Sequence, residues 1–191
     1  MATTTQGKIG QSAARAMQET AEVLARMDDN QFGQFAKAIA GARRVALHGL
    51  GREGLQMKGL AMRLFHLGVD AHVVGEMTTP PVGVGDLLLV SAGPGDFASI
   101  TALLNIARKA GAQTGVVTAQ ADSETARHAD HVLHIPAQTM ANDQQGKLST
   151  LPMGSLFEVS MMLAFELLAL HLRELMGETA ATMRARHTNL E

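Results

Sequence analysis

Residues 43–65 constrain this chain more than any other stretch. Arg43-Arg44-Val45-Ala46-Leu47-His48 is a short apolar run that closes on Gly49-Leu50-Gly51-Arg52-Glu53-Gly54. A helical period follows, with Met57, Leu60, Ala61, Leu64 and Phe65 on one face. Strand, glycine loop and helix in that order make a βα unit, whose strand needs neighbours and whose helix needs a sheet to cover.

The unit repeats. Val69 to Val74 reads as a strand, and Asp86 to Ser91 as another that is apolar throughout. Gly93-Pro94-Gly95-Asp96 turns into a helix ending near Gly111. Thr114 to Thr118, a helical turn from Asp122 to His128, and His131 to Ile135 complete the pattern. Five mostly continuous apolar strands separated by helices predict an α/β chain with a parallel sheet covered on both faces.

The flanks are helical. Apolar positions recur from about Ile9 to Met27, and Asp28, Asp29 or Asn30 can cap a second helix over Gln31 to Ala40. After Pro136 the alternation stops, and Ala137 to Thr150 is polar and without period. A loop of that length is a lid, a binding loop or disordered. A long helix from about Pro152 to Met176 is apolar nearly all round, which predicts another subunit against it. A short helix and a polar tail finish the chain from Glu178 to Glu191. The expected layout is one domain over 1–191, with helices in 1–41, the α/β core in 42–136, the loop in 137–150 and C-terminal helices in 151–191.

Composition removes several function classes. The chain has 191 residues and no Cys, so thiol nucleophiles, disulfides and Cys-ligated metals are out. A net charge of −2 and 3% aromatic residues argue against nucleic acid. Lys and Arg are scattered, which argues against a membrane-binding face. The most apolar run, Leu156 to Leu172, carries Glu158, Glu166 and His171, so it reads as a buried helix and not a membrane span. Met1 to Gly10 shows no apolar stretch suited to a signal peptide, and the expected compartment is the cytoplasm.

In an open parallel sheet, ligands sit beyond the carboxyl ends of the strands. Two loops have that position, Gly49 to Gly54 and Ala92 to Phe97. The first fits the spaced glycines of dinucleotide loops, and Glu76 stands roughly where such a loop wants its acidic residue. Glycines at strand–helix turns are equally explained by the turn itself. Arg52 points either to a bound anion or to solvent; Arg63 reads as an ion-pair or interface residue, and His48 as a core histidine. Glu158 opens an apolar helix, where desolvation favours a general base. Ser155-Leu156-Phe157-Glu158 also has capping-box spacing, and from local sequence alone the cap is preferred. Arg186-His187 alone reads as solvated, though His187 can titrate near neutral pH. The eight His show no paired spacing for a metal.

Several segments together resemble the 6-phospho-3-hexuloisomerases of the sugar isomerase (SIS) family. They are Gly49-Leu50-Gly51-Arg52-Glu53-Gly54, Ala61 to Gly68, Val73-Val74-Gly75-Glu76-Met77-Thr78-Thr79-Pro80, Leu151 to Glu158, and Arg184 to Glu191. The resemblance implies a three-layer αβα sandwich around a five-stranded parallel sheet, assembled as a homodimer or homotetramer. It implies interconversion of 3-hexulose 6-phosphate and fructose 6-phosphate through a cis-enediol, with no cofactor. By resemblance Glu158 is the base, and His187 assists ring opening or hydroxyl proton transfer across a subunit boundary. Gly51, Arg52, Glu53, Gly93, Gly95, Asp96, Glu76, Thr78 and Thr79 are expected around the substrate.

Two departures stand out. The family's first loop reads Gly-Arg-Ser-Gly, and here the serine is Glu53. The family's second loop reads Ser-Gly-Ser-Gly-Glu-Thr, and here it is Ala92-Gly93-Pro94-Gly95-Asp96-Phe97. Three hydroxyls and one N–H are gone, and a carboxylate has arrived. At about 4 Å from a phosphate dianion, Glu53 adds several kcal/mol of repulsion in a partly desolvated pocket. Three readings stay open: an isomerase of an unphosphorylated, polyol-like or amino-bearing sugar that Glu53 hydrogen-bonds, an isomerase keeping the family substrate through Arg52, and a non-catalytic sugar-binding protein.

Overall fold

The computed structural model describes residues 7–144, 146 and 148–190. Glu191, the last residue of the tail motif, and the first six residues lie outside that description. The elements run α1 (Lys8–Leu24), α2 (Asp29–Gly41), β1 (Val45–His48), α3 (Gly51–His66), β2 (Ala71–Val73) and β3 (Leu87–Ser91). Then come α4 (Ala98–Lys109), β4 (Gln113–Thr118), α5 (Glu124–Arg127), β5 (His131–His134), α6 (Ser155–Leu175) and α7 (Ala180–Ala185).

The five strands form one parallel sheet in the order β2-β1-β3-β4-β5. The order reverses between β1 and β3. Chain leaving those two strands therefore diverges and opens a crevice at their carboxyl ends, the usual ligand position in such sheets. Strand residues alternate between two cores. Val45 and Leu47 of β1 join α1, α2, α3 and α6 on one face, and Ala46 joins α4 and α5 on the other. Both faces are apolar because both are covered, which is why β3 is buried at every position.

Of the three cap candidates before α2, Asp28 is the one used; its carboxylate accepts from the Gln31 N–H at 2.7 Å. Asp28→Ala is expected to cost about 1 kcal/mol. Urea denaturation checks it, and an unchanged midpoint would show that this bond is not made in solution.

Two expectations need correction. The strands are not all separated by helices, because residues 74–86 join β2 to β3 without one. Pro80 and Pro81 supply no N–H and bar a helix there. An apolar groove is left open beside α4, lined by Val74, Pro80, Pro81, Leu103 and Ile106 among others. α6 begins at Ser155 and not near Pro152, since Gly154 takes a left-handed φ of 77° as its N-cap. α6, expected to lie against another subunit, is covered on one side only within the single chain. It is long and apolar enough to cross a bilayer, yet in this chain one side is buried on α1, α2 and α3. Met162, Leu163, Leu167 and Leu170 remain exposed on the other.

Arg63 makes the ion pair anticipated for it, with Glu166 of α6 at 2.9 Å. The tail is docked as well. Arg186 donates to the His66 carbonyl at 3.0 Å, satisfying an end carbonyl of α3, and pairs with Glu178. Its guanidinium, followed by the Thr182 hydroxyl, holds the Glu178 carboxyl down to about 2.

Candidate functional site

The β1–α3 turn is built by close approach. A Cβ on Gly54 would sit 2.5 Å from the Gly49 carbonyl oxygen, so the first turn of α3 can pack on the strand end only with glycine there. That turn carries Gly51, Arg52 and Glu53 to the mouth of the crevice. On the opposite wall α6 starts with Phe157 buried and Glu158 half-buried. The two walls meet in an ion pair, with Arg52 Nε donating to Glu158 Oε2. Arg52 is 66% exposed and Glu158 13%, so the carboxylate sits in the wall and the guanidinium reaches over it from solvent.

The pair overturns the capping reading of Glu158. Ser155 is already helical, Gly154 occupies the cap position without a side-chain bond, and the Glu158 carboxylate turns to a residue 106 positions away. Local spacing favoured a cap; the tertiary partner took the carboxylate instead.

Glu53 enters the same crevice from below. Its carboxylate accepts from the Gly93 N–H of the second loop at 3.0 Å. Burial pushes its pKa up, the Gly93 N–H and the Ser91 hydroxyl pull it down, and the charge of Glu158 adds to the rise. A Cβ on Gly93 would meet the Phe157 ring at 2.6 Å and Glu53 Oε1 at 2.8 Å. Glu53, Gly93 and Phe157 thus fill one another's space. The remaining opening, about 50 Å³, is lined by Glu53, Pro94, Thr139, Met140, Met153, Gly154, Phe157 and Glu158.

Because burial raises the Glu53 pKa, ionised Glu53 costs stability above its shifted pKa and nothing once pH falls below the ordinary 4.5. Glu53→Gln, which keeps an oxygen acceptor for Gly93, is expected to raise the thermal midpoint at pH 8. That gain should shrink as pH falls through the raised pKa toward 4.5 and be gone below 4.5. A gain that is constant with pH would contradict the assignment.

The other expected residues are placed as follows. Gly95 is in the second loop with φ of 116°. Asp96 faces α5, accepting from the Thr125 N–H at 2.7 Å and the Glu124 N–H at 3.3 Å. The Thr125 hydroxyl, then its N–H, hold the Asp96 carboxyl below the usual range. Glu76 and Thr78 are exposed on the β2–β3 connection. Thr79 donates its hydroxyl to the Val73 carbonyl at 2.6 Å and lines the separate apolar groove. His187 stacks on His66 with ring centroids 5.2 Å apart. His66 and Arg52 are 14 positions apart on α3, about 21 Å at the helical rise, so within one chain His187 and Glu158 are far apart.

Sequence reasoning missed Ser91, Thr139, Met140, Met153 and Phe157 as neighbours of the crevice. Thr139 and Met140 form part of its wall, and Ser149 and Thr150 are fixed to α1 by Glu19, which accepts from the Ser149 hydroxyl and the Thr150 N–H. Met153 has φ of 53°, one residue before left-handed Gly154. A non-glycine residue in that region is a strained position of the kind found at functional sites. The signals available beforehand were the length of the polar loop and the place of Met153 and Phe157 within the Leu151–Glu158 motif.

A 2-1-3-4-5 parallel sheet with the Arg52–Glu158 pair at its switch point defines a doubly wound α/β protein with its crevice where such sheets bind ligands. The SIS domain matches residues 38–165, and the chain belongs to the SIS domain family. It is 33% identical over 187 residues to the 3-hexulose-6-phosphate isomerase of Bacillus subtilis, covering 96% of this chain and 100% of that one. It is 37% identical over 173 residues to the enzyme of the same name from Mycobacterium gastri, covering 91% and 86%. Among solved structures, a Methanococcus jannaschii protein for which that function was inferred superposes with a TM-score of 0.81. It is 23% identical and covers 95% of this chain and 99% of that one.

Proposed function

We propose that the chain is an intramolecular isomerase that moves a carbonyl between adjacent carbons of a sugar through a cis-enediol. Its reference reaction is the interconversion of 3-hexulose 6-phosphate and fructose 6-phosphate, or the same step on a relative without the phosphate. The observation that carries the reading is the Arg52–Glu158 pair in the switch-point crevice. The reaction needs a base beside a cation, and the relatives' names supply the reaction class.

Glu158 takes the proton from the carbinol carbon next to the carbonyl. The C–H electrons form the enediol double bond, and the carbonyl oxygen gains the negative charge. Protonated Glu158 no longer holds Arg52 by charge, so the guanidinium transfers to the enediolate oxygen. Glu158 then returns the proton to the former carbonyl carbon, while the hydroxyl proton crosses to the other oxygen with help from His187.

The proposal includes a homo-oligomer. Met62 and Phe65 of α3 and Met162, Leu163 and Leu167 of α6 leave an exposed apolar face suited to a second copy. A second copy is also the route by which a His187 approaches a crevice that its own chain keeps it from. Cytoplasmic location belongs to the same proposal. The test is incubation with fructose 6-phosphate and with fructose, followed by carbon-13 NMR. A new ketose with its carbonyl at carbon 3 is expected from one of them; binding of either with no second ketose would instead favour a non-catalytic sugar-binding protein.

A further inference from the structure

The crevice already contains an anion of its own. The Glu53 carboxylate sits on the Gly93 N–H, a backbone donor in the loop that leaves β3 beside the β1–β3 switch point. Backbone N–H groups of a loop that follows a strand are donors to which a small anion can bind. An incoming anion reaching for the same N–H would have to displace Glu53 or stand against it. It would also face Glu158, leaving two carboxylates against the single guanidinium of Arg52. The neighbourhood is closed sterically too, since the Phe157 ring and Glu53 Oε1 both crowd Gly93. Pro94, next in the loop and on the crevice wall, has no N–H to offer as a substitute.

A carboxylate has several acceptor positions, and Gly93 uses one of them. Glu53 can therefore receive a ligand hydroxyl, while a dianion finds the N–H taken.

We infer that Glu53 sets the ligand class of this crevice: its carboxylate occupies the anion position of the second loop, excludes a phosphate there and accepts a sugar hydroxyl in its place. The inference rests on the crevice being the ligand site of the proposed isomerase, and it selects the unphosphorylated member of the two substrate choices. Glu53 is a specificity residue and takes no part in the proton transfer.

Sulfate is the first probe, because it stays dianionic between pH 5 and pH 8 and its binding can be read without turnover. Isothermal titration at pH 8 is expected to show no binding to the wild type. Glu53→Ser, which withdraws the carboxylate from Gly93, is expected to bind sulfate at least tenfold more tightly. The Gly93 amide resonance should shift with sulfate in that variant and stay fixed in the wild type. Glu53→Gln removes the charge but keeps an acceptor on Gly93, so it should fall between the two and covers the case in which Glu53→Ser does not fold. Fructose and fructose 6-phosphate, titrated in parallel, should reverse their order of affinity between wild type and Glu53→Ser. Wild type binding sulfate or fructose 6-phosphate as tightly as both variants, with the Gly93 resonance moving, overturns the inference. That result would leave the isomerase reading standing, and failure to isomerise either sugar would leave the sulfate result standing.

Discussion

Glu158→Gln is expected to lower the isomerisation rate by about 10³-fold, the span of a lost general base, while leaving the fold intact. The carboxamide has nearly the same shape, and it cannot accept a proton from carbon at neutral pH. Glu158 contributes no cap to α6, so the helix start, set by Gly154, should not move. The check is kcat on whichever sugar turns over, together with the thermal midpoint. A fall below tenfold would show that the proton leaves through another group, and Arg52 would then lose its assigned partner in the cycle.

Phe157→Ala is expected to cost about 3–5 kcal/mol, the range for deleting a buried ring. Phe157 is 1% exposed and belongs to the core cluster shared by α2, α3 and α6. For a chain of this size that loss lowers the thermal midpoint by about 10 °C, at roughly 2–4 °C per kcal/mol. The ring also fills the space over Gly93 and precedes Glu158 by one position, so the crevice should widen as stability falls. Differential scanning calorimetry reads the loss. A cost under about 1 kcal/mol would mean that the ring is not packed against Gly93.

The sheet was legible because buried parallel strands are written as near-continuous apolar runs, and Leu87 to Ser91 is one. The glycine loops were legible because a strand end that turns at once into a helix admits little else. The β2–β3 connection was misread, since the surrounding alternation suggested a helix where Thr79-Pro80-Pro81 forbids one. Glu158 shows the limit of local spacing. Ser155 and Glu158 match a capping box, yet Gly154 closes the helix through its backbone and Arg52 arrives from α3. The charge of Glu53 in the crevice could be read from its place in the first loop. Its bond to Gly93 could not, because a backbone N–H leaves no letter in the sequence. The tail was unreadable for the same reason: Arg186 is held by the His66 carbonyl, and this fixes His187 at the far end of α3.

The most direct measurement is uptake of solvent deuterium at carbon during incubation of fructose and fructose 6-phosphate with the protein in deuterated water. An enediol that draws and returns its proton through Glu158 should place deuterium on carbon 3 of the ketose that binds, seen by mass and by loss of the carbon 3 proton signal. Wild type should label it and Glu158→Gln should not. Equal labelling by Glu158→Gln, or ketose interconversion by Glu158→Gln as fast as by wild type, would contradict an enediol path through this carboxylate.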